Sequence, residues 1–174
     1  MKNLKSKLML WAIIVMLVPL LLTLLATWHW KPGAFVLAFI LLIGSAALIY
    51  QLVMMKKMNN RAYGFAVGLA ITTVFALVWM NAAVGGILGD DPANMMYFGV
   101  LLAGLIGASI AKLEPIGMSR ALFATAFTMV LVPTIALAIG TPAFANGVAP
   151  VFGLHAVFAA SFAGSALLFR RAAH

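Results

Sequence analysis

The stretch AYGFAVGLAITTVFALVWMNAAVGGIL, residues 62–88, runs for twenty-seven positions without a charged side chain. A helix on the surface of a soluble domain keeps a polar face toward water, and this one has none. About 20 apolar residues in a helix cross the roughly 30 Å hydrocarbon core of a bilayer. Inside lipid every backbone N–H and C=O must be satisfied within the segment, so an apolar run of this length reads as a transmembrane helix. It is long enough to tilt, or to end in an irregular turn.

Working outward, similar runs flank it on both sides. Leu8–Trp28 and Ala34–Met55 precede it, and Met95–Leu113, Gly117–Ile139 and Pro150–Phe169 follow. The sequence therefore predicts an all-α integral membrane bundle of six transmembrane helices, with residues 1–174 forming a single transmembrane domain. Composition agrees. The chain is 66% hydrophobic and 8% charged, with a mean hydropathy of +1.15. A soluble domain needs roughly a quarter of its residues charged, and this chain cannot build such a shell. The absence of cysteine excludes disulfides, thiolate catalysis and thiolate-bound zinc or iron–sulfur clusters. The N-terminus begins with Lys2, Lys5 and Lys7 as a secretory signal would, but its apolar run outlasts the usual 7–15 residues. The run ends at Trp28-His29-Trp30-Lys31 rather than at a small-residue cleavage site, so it reads as a retained first helix.

The net charge of +8 points to membrane orientation rather than to nucleic acid. Its cations sit singly or in small groups at the ends of apolar runs, which is how topology is set. With six spans, one side holds Lys2, Lys5, Lys7, Lys56, Lys57, Arg61, Lys112, Arg120, Arg170 and Arg171, and the other only Lys31. Ten against one predicts a bacterial inner-membrane protein with both termini in the cytoplasm. The same cations suit anionic lipid headgroups.

Proline and glycine punctuate the breaks. Asp91-Pro92 reads as an N-cap followed by a first-turn proline. Lys31-Pro32-Gly33, Glu114-Pro115-Ile116-Gly117, Thr141-Pro142 and Pro150 mark the others. Gly44, Gly104 and Gly164 recur at intervals of 60, and Pro32, Pro92 and Pro150 at nearly the same period. Three parallel two-helix hairpin repeats are the simplest account; chance spacing in a glycine-rich chain is the plain alternative.

Lipid tails are as apolar as leucine, so membrane helices associate through small residues. Gly64, Gly68, Thr72 and Ala76 form one seam, Gly99, Ala103, Gly107 and Ala111 a second, and Ala156, Ala160 and Gly164 a third. The seams predict a compact bundle with the third and fourth spans tightly apposed. They serve contact with a second membrane protein, or another copy, equally well. Pro19 and Pro133 fall inside the first and fifth spans, where a proline kinks a helix. Ordinary kinks explain them, since no ionisable residue lies near.

Ionisable groups inside the spans, the usual mark of transport or proton relay, are nearly absent. Polar residues gather on the outer side instead. Asn81, Asp90, Asp91, Asn94 and His155 are the candidate ligand-binding residues of an outward-facing pocket. His29 and His155 are candidate metal or haem ligands, with Met80, Met95 and Met96 at similar depth as soft donors. Simpler readings compete. Trp-His-Trp is an interfacial belt, Asp91 a cap, methionine packing, and no two candidates share metal-motif spacing on one helix. Asn81 suits interhelical hydrogen bonding, with His155 as its partner, or His155 bonds Asp90 or Asp91. No nucleophile elbow or phosphate loop occurs.

Residues 79–100, Trp79-Met80-Asn81-Ala82-Ala83-Val84-Gly85-Gly86 through Asp90-Asp91-Pro92-Ala93-Asn94 to Val100, resemble a block in a family of small uncharacterised bacterial multi-spanning membrane proteins. That block reads Asn-x-Ala-Val-Gly, an acidic glycine-containing turn, then Pro-Ala-Asn and an aromatic. Similarity extends through residues 120–125 and 167–171. The turn here is slightly shorter and lacks the family's Glu. The resemblance implies a membrane protein and no activity. The expectation is a non-enzymatic accessory or interaction subunit in lipid, with no cofactor and no nucleic acid. A small-solute or ion carrier with an outer vestibule, and a membrane metal or haem protein, are the alternatives.

Overall fold

The structure is a computed structural model that describes residues 50, 60–83, 86–88, 92–140 and 147–174. The chain divides into two units, Met1–Met58 and Asn59–His174, and all described residues but Tyr50 belong to the second. The expected first two spans, with Pro19, His29 and Gly44, lie outside the described residues.

Four helices follow: α1 Arg61–Ala83, α2 Met96–Ile110, α3 Pro115–Ala138 and α4 Val148–Arg171. They correspond to the third to sixth expected spans. Each overlaps an apolar segment long enough to cross a bilayer, namely Arg61–Asn81, Pro92–Ile110, Pro115–Ala138 and Val148–Arg171. The protein is a helical membrane protein.

The ends of the helices have local causes. Asn60 Oδ1 accepts the N–H groups of Ala62 (2.9 Å) and Tyr63 (3.3 Å), capping α1. The expected third span continued to Leu88, whereas α1 stops at Ala83. Gly86 takes a φ of +92°, open to glycine at little cost, and its N–H returns to the Met80 carbonyl at 3.3 Å. Ile87 and Leu88 then turn into the core rather than prolonging the helix. A 3-10 turn, Pro92–Met95, leads into α2. Asp91, the expected cap, lies outside the described residues.

At the other end of α2, Lys112 and Leu113 adopt φ of 49° and 62°. Left-handed non-glycine residues are uncommon, and no sequence signal announces these two. Glu114 is extended, as the residue before a proline prefers, and Pro115 opens α3 two residues before the expected start. α3 continues through Pro133 to Ala138. α4 begins at Val148, after Gly147 at φ +84°, and not at Pro150, which sits in the first turn. No intrahelical acceptor awaits an N–H there, so a proline is tolerated.

The packing order is α1 on α4, α4 on α3, and α3 on α2. α1 and α2 are not a packed pair, contrary to the expectation from their seams. The turn joining α2 to α3 is short, which makes those two antiparallel neighbours, and Gly104 and Gly107 of α2 serve that contact. A Cβ on Gly107 would fall 2.7 Å from Ala121 Cβ, and one on Gly117 2.8 Å from Ala111 Cβ. Gly104 faces Thr125. A repeat of packed hairpins would need α1 against α2 as α3 stands against α4, and the four helices do not show that.

α4 meets α1 through Ser165, whose Oγ–H donates to the Ala66 carbonyl at 2.7 Å, and through Gly164 beside Leu69. Tyr63 meets Phe169 edge-on, with ring centroids 5.0 Å apart. At the opposite end Leu77, Val100, Met129, Val132, Val151 and Phe158 form one apolar cluster that draws on all four helices. Of the other seam residues, Gly64 is buried, Gly68 and Ala103 are partly buried, and Ala156 and Ala160 are exposed. A Cβ on Gly99 would meet nothing within 4 Å.

Candidate functional site

The polar site forms where α2 begins and α4 has made its second turn. His155 is 1% exposed and Tyr97 3%. His155 lies four residues after Val151, so its ring reaches back to that carbonyl, with Nδ1 at 2.7 Å from the oxygen. A carbonyl can only accept, so Nδ1 carries the proton. Nε2 is then an acceptor, and the Tyr97 hydroxyl donates to it at 2.7 Å. The two rings are nearly parallel, 28° apart, with centroids separated by 5.7 Å. Tyr97 itself belongs to the apolar cluster. The result is a neutral, internally satisfied pair in an apolar setting, and it fastens α2 to α4.

Sequence alone does not single out this pair; it offers Asn81, Asp90 or Asp91 as partners of His155. A usable signal was present. Tyr97 opens α2 and His155 lies about two turns into α4, and two helices separated by one antiparallel helix run the same way, which sets these residues at similar depth. A buried tyrosine hydroxyl also has to find a partner.

Asn81 lies in the last turn of α1. Its Nδ2 donates to the Leu77 carbonyl of its own helix at 2.9 Å, and no hydrogen bond joins it to His155. The interhelical role expected for its amide is thus corrected: α1 supplies its partner. Its Oδ1 is buried and accepts no hydrogen bond.

Asn94, expected in a pocket, organises the connection between α1 and α2. Its Oδ1 accepts the Leu88 N–H at 3.1 Å. Its side chain also lies over Gly86, where an added Cβ would come within 2.6 Å of Asn94 Cγ. Asp90 and Asp91 lie outside the described residues, as does His29.

Both imidazole nitrogens of His155 are engaged, so a metal there would have to displace Tyr97 or the Val151 carbonyl. Among the described residues no group of three or more His, Cys, Asp or Glu side chains comes together. The Tyr97–His155 bond joins α2 to α4, and the hydroxyls of several other residues bond within their own helices. Thr73, Ser109, Thr125, Thr134 and Ser161 each donate to the carbonyl four residues earlier in their own helix.

No protein-family model matches the chain, and no curated protein or solved structure is significantly similar to it.

Proposed function

We propose that this is a six-span protein of the bacterial inner membrane, with both termini cytoplasmic, which works as a non-enzymatic accessory or interaction subunit. The observation that carries the reading is where the polar groups spend their hydrogen bonds. Tyr97 and His155 bond each other, Ser165 bonds Ala66, and Tyr63 Oη bonds the Leu113 carbonyl at 2.8 Å. Polar side chains in lipid that face a substrate path are expected to keep free valences toward that path. Here these side chains close on the bundle, Asn81 Oδ1 excepted. Gentle solubilisation from native membranes tests it. A stoichiometric membrane partner should copurify with a tagged chain, and a solitary monomer recovered under several detergents overturns the reading.

A second reading, a small-solute carrier, is favoured by one feature. Asn81 Oδ1, in the last turn of α1, is a buried acceptor without a donor. Flux through proteoliposomes above that of empty vesicles, abolished by Asn81→Leu, would support it. Flux equal to empty vesicles over a broad solute panel counts against it.

A further inference from the structure

All five Lys and Arg side chains among the described residues stand at one end of the helices, and all are exposed. Arg61 opens α1, Lys112 occupies the turn between α2 and α3, Arg120 lies in the second turn of α3, and Arg170 and Arg171 close α4. Among the described residues Glu114 is the sole acid. This end is also cross-tied. Asn60 Nδ2 donates to the Ala172 carbonyl at 3.0 Å, and Tyr63 Oη to that of Leu113. The cations therefore stand on backbone held in place, not on loose tails.

Arg120 differs from the others in depth. It lies five residues into α3, about 7 Å along the axis. Below it, at spacings of three and four, come Phe123, Phe127 and Val130, all exposed. These positions share one face of the helix. A guanidinium thus tops an outward apolar stripe that includes two phenyl rings. An arginine in such a place extends its stem toward the headgroup level. Lys112 follows Ala111, and Gly117, one turn before Arg120, rests directly on Ala111, so the two cations stand on adjoining backbone.

We propose that Lys112 and Arg120 hold the phosphodiester of an anionic phospholipid, one acyl chain of which lies along Phe123 and Phe127. Charge complementarity selects an anionic headgroup, since a zwitterionic one would bring its own cation into a field of five. The apolar stripe selects a lipid over free phosphate, which has nothing to place there.

The test is native mass spectrometry of the full chain from micelles containing equal amounts of phosphatidylglycerol and phosphatidylcholine. Phosphatidylglycerol should be retained in clear excess. A basic residue near the surface is worth about fivefold in anionic-lipid binding, so Arg120→Gln should cut the excess by about that factor and Lys112→Gln/Arg120→Gln should bring it close to parity. Arg171→Gln, at the end of α4, should change it little, and glycerol phosphate in solution should not displace the lipid. Equal retention of the two lipids by the unmodified protein overturns the proposal without any variant. So does an Arg171→Gln effect as large as that of Arg120→Gln, which would mean diffuse attraction rather than a site. Displacement by glycerol phosphate would also overturn it, because the acyl chain would then contribute nothing.

Discussion

The hydrogen bond between Tyr97 and His155 should matter more when half of it is lost than when all of it is. Tyr97→Phe leaves a buried imidazole nitrogen without a donor. In membranes such bonds average about 0.6 kcal/mol, but an orphaned buried group costs about 1–3 kcal/mol. Tyr97→Phe should therefore lower stability by about 1 kcal/mol in a reversible detergent-unfolding titration. Tyr97→Phe/His155→Leu should recover part of that loss, since no polar atom is then stranded. A double variant weaker than the sum of the two single variants would mean the bond is not the relevant contact. Gly86 offers a second test. Its φ of +92° and the Asn94 side chain above it both oppose a methyl group. Gly86→Ala should cost about 1–2 kcal/mol in the same titration. At this scale the sequence was partly legible. Glycine 86 could be marked as a breaker, but Asn94 read as a ligand because an asparagine that pins a turn and one that binds a solute look alike in a string.

Helix contacts decide the next level. The small residues of α2 are not equivalent, because Gly107 lies against Ala121 while Gly99 faces open space. Gly107→Val should drive α2 off α3 and lower the unfolding midpoint, whereas Gly99→Val should leave it unchanged within error. Equal effects would mean that α2 packs by another face. Four helices could be placed from apolar length alone, and their ends only to within a few residues. The apolar run through Leu88 concealed a turn, since Ile87 and Leu88 are as apolar in a turn buried by the bundle as in a helix. Small residues at every fourth position identified faces capable of close approach. They could not say which neighbour would use them. Chain connectivity settled that for α2, because Lys112 and Leu113 reverse the chain at once into α3.

For the whole molecule the charges are the most legible feature. The described cations gather at one end of the bundle, where the positive-inside argument puts the cytoplasm. A reporter fused after His174 should be active in its cytosolic form and silent in its exported form, and the opposite result removes the orientation. Pairing between distant helices was not legible, since Ser165 with Ala66 and Tyr97 with His155 are matched only after folding. The spatial order α1–α4–α3–α2 bears on how the chain is made. α1 ends at Ala83, and α4, the described helix it packs against, begins only at Val148. A ribosome inserting this polypeptide therefore releases α1 well before Ser165 arrives to meet Ala66. Assembly of these helices closes from the last segment back to the first. A nascent chain stopped at residue 147 should be cleared by membrane proteases far faster than the finished one, which pulse-chase labelling would measure.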